Sequence, residues 1–319
     1  MSKVAFLFPG QASQYPGMGR EFSEKFPTAR AVFDEADDAL RFPISKMCFE
    51  GTEEDLKQTA NTQPCILAVS VAVFRVLSER GFVPQFVAGH SLGEYSALVA
   101  AGALSFADAM RLVRMRGAVM QEAVPAGEGA MAAILGLSPA QVSDICKRAA
   151  DGQVCSAANL NSPEQTVISG NATAIKRAVE LASQNGAKRA VVLPVSAPFH
   201  CALMQPAQAK MEPELRKTKF SDLSVPIVTN VDAEVTTEAA EARDALIRQI
   251  TLPVRWEESV RELIQQGVSA FVEVGPGRVL CGLLRQIDRS VHSFNVEDGA
   301  SLTSAQTKFA QLLAETGEA

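Results

Sequence analysis

Residues 89–93 read Gly-His-Ser-Leu-Gly, after the apolar run "FVPQFVA" and before another, "EYSALVAAG". No other feature constrains the fold as much. Glycines on both sides of a serine let the backbone bend hard, so that a strand can enter the turn, a helix can leave it, and the hydroxyl stands at its tip. An unreactive strand-to-helix turn would carry the same local pattern. Strand, tight turn and helix are all predicted here, which is the context a nucleophile elbow requires.

The rest of the chain extends this pattern. "KVAFLFPGQ" reads as a short buried strand closed by Pro9-Gly10. "NTQPCILAVSVAVFRVLSERG" places Ile66, Val69, Val73 and Leu77 at helical spacing, with Gly81 as its stop. "SFADAMRLVRMRGAVMQEA" predicts a helix with Ser105 as N-cap and Asp108 three residues on. Its inward stripe runs Ala109, Val113, Met120 and Ala123; Arg116 falls on that stripe, whereas Arg111 and Arg114 point elsewhere.

The middle of the chain changes character. "AMAAILGL" reads as a strand, "SPAQVSDICKRAA" as a helix capped by Ser138 with Pro139 in its first turn, and "QVCSAANL" and "QTVISG" as two strands. A helix capped by Asn171 and the strand "KRAVVLPV" complete a βαββαβ order, the ferredoxin-like arrangement, read as a small inserted domain. Beyond it come a helix from about Cys201, the strand "VPIVTNV" and a helix through "EARDALIRQI". "WEESVRELIQQG", "VSAFVEVGPG" and "RVLCGLLRQI" then alternate helix, strand and helix, predicting an α/β fold with a mostly parallel sheet. "TKFAQLLAE" reads as a terminal amphipathic helix.

Composition narrows the function classes. The 319 residues are 47% hydrophobic and 21% charged with a net charge of -6, ordinary for a soluble globular chain. That balance argues against nucleic acid as the main partner, since a phosphate backbone calls for a basic stripe. The six cysteines are scattered without a C-x-x-C pair, which predicts a reducing compartment and no structural metal. "VAFLF" is too short for a signal-peptide core, and no apolar stretch is read as long enough to cross a bilayer, so a cytoplasmic location is expected.

Serine needs a neighbouring base to become a nucleophile. The chain offers three histidines, His90, His200 and His292. His90, adjacent in the turn, is expected to point away from the reactive oxygen. His200 follows a strand exit stiffened by two prolines, whereas His292 comes late, as in the chain order of the α/β-hydrolases. Spacing leaves both open. Ser91 at a helix start gives the Leu92 N–H as a donor to a developing oxyanion, and the "PGQASQ" turn is the source of a second. That turn matches neither G-x-G-x-x-G nor a phosphate loop, which argues against a nucleotide. A buried Arg116 requires an anion, either a carboxylate of the same protein or one on a substrate, held by the planar guanidinium in two parallel bonds.

Several longer motifs, "FPGQASQYPGMG", "GHSLGEYSALVAAG", "MRGAVMQEA", "GAMAAILGL", "SAPFHCALM" and "EVGPG", resemble in order the malonyl-CoA:acyl-carrier-protein transacylase family of bacterial fatty-acid synthesis. The resemblance covers nearly the whole chain. It implies a hydrolase-like large α/β domain, residues 1–126 and 197–319, with a ferredoxin-like domain inserted at 127–196. It makes Ser91 and His200 a catalytic dyad, demotes His292, and assigns orientation of the imidazole to the backbone carbonyl of Gln249. It implies Arg116 as the malonyl carboxylate clamp, the Gln11 and Leu92 N–H groups as the oxyanion hole, and His90 beside the acyl group. Phe199, where many bacterial members carry a small residue, would crowd an α-methyl group and favour malonyl over methylmalonyl. The expected partners are malonyl-CoA and an acyl carrier protein, with no metal or cofactor, in a monomer. The alternative is a serine thioesterase or carboxylesterase using the same Ser-His pair.

Overall fold

The structure, a computed structural model, describes residues 3–195 and 197–315. Strand β1 (Lys3–Phe8) leads into four helices, α1 (Arg20–Lys25), α2 (Pro27–Leu40), α3 (Ile44–Glu50) and α4 (Glu53–Lys57). The long α5 (Thr59–Glu79), β2 (Phe86–Gly89), α6 (Gly93–Ala100) and α7 (Phe106–Glu122) follow. A second unit then interrupts: β3 (Gly129–Leu135), α8 (Pro139–Ala150), β4 (Cys155–Ser162), β5 (Gln165–Asn171), α9 (Ala172–Gln184) and β6 (Arg189–Val192). The chain returns through a 3-10 turn at Ala202–Met204, α10 (Gln205–Lys217), β7 (Ile227–Val228), β8 (Val235–Thr236) and α11 (Ala239–Gln249). It ends with α12 (Trp256–Gln265), β9 (Val268–Val274), α13 (Val279–Ile287), β10 (His292–Val296) and α14 (Gly299–Glu315).

The larger sheet has the order β10-β9-β1-β2-β7-β8, parallel as far as β7, with only β8 antiparallel. A central parallel strand covered on both faces should read as a continuous apolar run, and β1 does. Phe6 and Phe8 pack with α2, α5 and α7, while Ala5 and Leu7 face Trp256, Leu263 and Leu284 on the other side. The smaller sheet, β4-β5-β3-β6, is antiparallel throughout and has its own core around Ile134, Ile145, Ile168 and Ile175. This is the βαββαβ order read from the sequence. Strand β4 is tied to the larger unit just before α12, through Leu160 N–H to Val254 O at 2.9 Å and Val254 N–H to Ala158 O at 2.8 Å. The small sheet thereby walls the space beyond the C-terminal ends of β1 and β2, the edge where open α/β sheets bind ligands.

Several expectations change. Helix α5 is long and apolar enough to cross a membrane, contrary to the reading that no stretch was; an 18-residue window averages a hydropathy of 1.4. That window is 83% buried, because α5 is packed between other helices and the large sheet and apolar residues are needed on all of its faces. "VPIVTNV" contributes only Ile227–Val228 to the sheet. Asn171 precedes α9 but does not cap it; its side-chain oxygen instead accepts the Val154 N–H at 2.8 Å. Ser105 and Ser138 do cap, each accepting the N–H three residues on. The terminal helix is present as α14, but the side chains from 309 onward, and any apolar face there, lie outside the described residues.

Candidate active site

The serine turn is a strained elbow. Ser91 has φ 50°, a left-handed conformation that costs a non-glycine residue on the order of 1–3 kcal/mol. Glycine at 93 is required by close approach: a Cβ there would stand 2.0 Å from the Phe8 carbonyl oxygen. The start of α6 thus sits against the end of β1. Asn230, just past β7, clasps the turn from the other side. Its Oδ1 accepts the Ser91 N–H at 2.7 Å, and its Nδ2 donates to Gly89 O at 2.7 Å. Leu92 is fully buried behind the serine.

His200 meets this serine. It lies in the loop after β6, also left-handed at φ 58°, and is buried. Nε2 is 2.8 Å from Ser91 Oγ, and Nδ1 is 2.7 Å from the carbonyl oxygen of Gln249. A carbonyl can only accept, so Nδ1 carries the proton and the Nε2 lone pair faces the hydroxyl. Burial, followed by the nearby Arg116 charge, pushes the imidazole down to about 3 and keeps it neutral at physiological pH. His292 is exposed at the start of the edge strand β10, outside this cluster.

Arg116 is 1% exposed and reaches the same hydroxyl, with Nη2 3.2 Å from Ser91 Oγ. Gly117 makes this possible, since a Cβ there would be 2.6 Å from the Thr59 carbonyl oxygen, so α7 lies directly on the start of α5. Nη1 donates to Gln63 Oε1 at 2.7 Å and Nη2 to Gln249 Oε1 at 2.8 Å, while Nε has no partner. Among the described residues no carboxylate lies within 4.0 Å of this guanidinium. The internal salt bridge, one of the two readings of this arginine, is therefore not formed. Its hydrogen-bond partners are two neutral amide oxygens and the Ser91 hydroxyl.

A cleft of about 420 Å³ between the two units is lined by Gln11, His90, Ser91, Arg116, Phe199 and His200, among others. The Gln11 side chain accepts from Thr59 Oγ1 at 2.9 Å, and Thr59 in turn accepts from Gln63 Nε2 at 2.9 Å, linking the loop after β1 to the arginine. His90 turns away from the serine oxygen, with Nε2 2.9 Å from Asn161 Oδ1 and its ring 5.4 Å from that of Trp256. Of the candidate site residues, Gln11, His90, Ser91, Arg116, Phe199 and His200 line this cleft, Leu92 and Gln249 stand behind Ser91 and His200, and His292 lies apart.

Sequence reasoning missed Gln63, Glu94, Asn161 and Asn230. Glu94 alone left a signal, a carboxylate inside the apolar run "EYSALVAAG". It is 1% exposed and burial raises it to about 7. The neutral amides carry no such mark. Among the described residues no group of three or more His, Cys, Asp or Glu side chains is placed to hold a metal.

Known proteins resemble this chain over nearly its whole length. The Acyl transferase domain family matches residues 5–311. The malonyl CoA-acyl carrier protein transacylase of Bacillus subtilis strain 168 is 50% identical over 306 residues, covering 96% of each chain. The structure of an acyl carrier protein S-malonyltransferase from Vibrio cholerae O1 biovar eltor superposes with a TM-score of 0.93 at 46% identity, over 95% of this chain and 100% of that one. A malonyl-transacylase solved in complex with a type II polyketide-synthase acyl-carrier protein, PlMCAT with AntF, gives 0.93 and 46% over 95% and 99%. At that identity over nearly the full length, with the same two-unit fold, the chain belongs to the acyl transferase domain family, among the malonyl CoA-acyl carrier protein transacylases.

Proposed function

We propose that this protein moves malonyl from malonyl-CoA to the phosphopantetheine thiol of an acyl carrier protein, through a malonyl ester on Ser91. One observation carries the reading: base and guanidinium converge on a single hydroxyl, His200 Nε2 at 2.8 Å and Arg116 Nη2 at 3.2 Å. The substrate carboxylate seats on the donors Arg116 keeps free. His200 takes the Ser91 proton as Oγ attacks the thioester carbonyl, and the Nδ1–H bond to Gln249 O stabilises the imidazolium that forms. The Leu92 and Gln11 N–H groups hold the oxyanion. CoA thiolate leaves with the proton from His200. The carrier thiol then gives its proton to His200 and attacks the ester; the acyl–Oγ bond breaks, and Ser91 takes that proton back from His200.

No metal or redox group enters these steps. His90 and Phe199 flank the acyl group, and the Phe199 ring, buried at the cleft wall, disfavours an α-methyl substituent. The working unit is a cytoplasmic monomer with a large domain of residues 1–126 and 197–319 and a small one at 127–196. The names of the relatives support transfer, and none of the three cited is a hydrolase.

Mass spectrometry after mixing with malonyl-CoA alone tests the reading. A transferase accumulates a malonyl adduct on Ser91 that a carrier thiol then removes. Release of free malonate with no adduct would instead mean that water finishes the reaction.

A further inference from the structure

We infer that Glu94 is a positioning residue for acyl selection, using the Gln249 amide to hold the Arg116 guanidinium open toward the substrate carboxylate. The inference rests on the malonyl-transfer reading above. Glu94 lies in the first turn of α6, three residues past Ser91. Its Oε2 accepts from Gln249 Nε2 at 2.5 Å and its Oε1 from the Asn230 N–H at 3.3 Å. Gln249 Nε2 also points at Ser91 O, 2.9 Å away, and at Asn230 Oδ1, 3.3 Å away. All its neighbours are acceptors, so the amide has one admissible orientation. Its oxygen must then face Arg116 Nη2, at 2.8 Å. Swapped, it would set oxygen against carboxylate and NH2 against guanidinium.

A buried guanidinium needs negative charge nearby. Ionised, as it is above about pH 7, Glu94 supplies that charge across one amide, and the two side chains do not touch. Direct contact would occupy the very donors a substrate carboxylate requires. The intervening amide leaves Arg116 Nε and one Nη1 hydrogen available while the field of the carboxylate still reaches them. Gln249 also presents the main-chain oxygen that holds His200, so the same contact steadies base and clamp together.

Both partners of Glu94 are N–H donors, which makes the isosteric variant informative. In Glu94→Gln one NH2 must face a donor, and the amide of Gln249 is no longer forced into its orientation. The test measures kcat and KM for malonyl-CoA and acetyl-CoA, with and without Arg116→Ala. Glu94→Gln should lower the malonyl-to-acetyl ratio of kcat/KM about tenfold, within the range seen for coupled neighbours. With Arg116→Ala also present, the same substitution should change that ratio less than about twofold, since the group it positions is gone. Equal losses for both acyl groups, or an undiminished fall in the ratio without Arg116, would overturn the inference and leave Glu94 a structural residue. If Glu94→Gln does not fold, Glu94→Asp serves, because it keeps both acceptors and shortens their reach. It should give a smaller fall in the ratio that again vanishes without Arg116, and its persistence there would count against the inference. The Arg116→Ala arm alone tests the underlying reading: an unchanged ratio would remove the malonyl clamp, and this inference with it.

Discussion

An imidazole pushed down to about 3 begins as a weak base. Burial is the larger cause and the Arg116 charge the second. A carboxylate seated on Arg116 cancels that second cause, so His200 gains basicity when an acid-bearing acyl group is bound, and an acetyl group brings no such gain. Arg116→Ala should therefore cost malonyl transfer about 2–5 kcal/mol, the usual loss when one partner of a buried charged pair is removed. In the same variant the acid limb of acetyl transfer should move up from its low position toward the ordinary 6.5, stopped short by burial. Acylation rates with acetyl-CoA between pH 4 and 8 would show it. Coincident limbs would mean that the arginine does not act on the histidine. Ser91 and Arg116, which the fold brings together, stood out in the sequence because nucleophiles and buried charges are rare. Which histidine meets Ser91 did not follow from spacing, since nothing local separates His200 from His292. Gln63, Asn230 and Gln249 act through neutral amides whose contacts with Arg116 and Ser91 span 53 to 158 residues of chain, and only folding brings them together.

At the level of elements, the elbow depends on how closely α6 starts against β1. Gly93→Ala places a methyl 2.0 Å from the Phe8 carbonyl oxygen, where backbone must move on one side or the other. We expect a loss of about 1–3 kcal/mol or more, as in overpacked cores. Acylation of Ser91 should fall further than stability alone explains, because the helix start carries the Leu92 N–H with it. Urea unfolding beside adduct formation measures both, and an unchanged unfolding midpoint would refute the close-contact account. The pattern strand, G-x-S-x-G, helix was readable because each part has its own period and the glycines mark the bend. Helices α1 to α4 were not read. Three of them are short, 5 to 7 residues, the 14-residue α2 starts without a side-chain cap, and among the four only Thr52 ahead of α4 forms a capping box. Strands β8 and β10 also escaped notice, being two residues and five residues long at the two edges of the sheet, where burial patterning is weak.

Across the whole molecule, buried titratable groups pull the stability in opposite directions with pH. Burial raises Glu94 and Glu273 from an ordinary 4.5 to about 7 each, while His200 falls from 6.5 to about 3. For each carboxyl, the folded chain holds more proton than the unfolded one between those two values. Its stabilising contribution is complete below 4.5 and is lost as pH rises through 7. For His200 the unfolded chain holds more proton, so that contribution is complete above 6.5 and is lost as pH falls toward 3. The two trends partly cancel between 4.5 and 6.5, and above 6.5 only the carboxyl loss remains. Glu273 isolates it, lying on β9 away from the serine and accepting the Leu280 and Cys281 N–H groups at 3.0 and 2.8 Å at the start of α13. Glu273→Gln misplaces one donor there, a cost that does not depend on pH. What does depend on pH is the titration it removes, up to about 1.4 kcal/mol for each pH unit inside the window. Relative to the parent, the variant should therefore fare better at pH 8 than at pH 5 in urea unfolding. An identical difference at the two values would mean that this carboxyl does not titrate between them, and that burial of Glu273 leaves no mark on how the fold responds to pH.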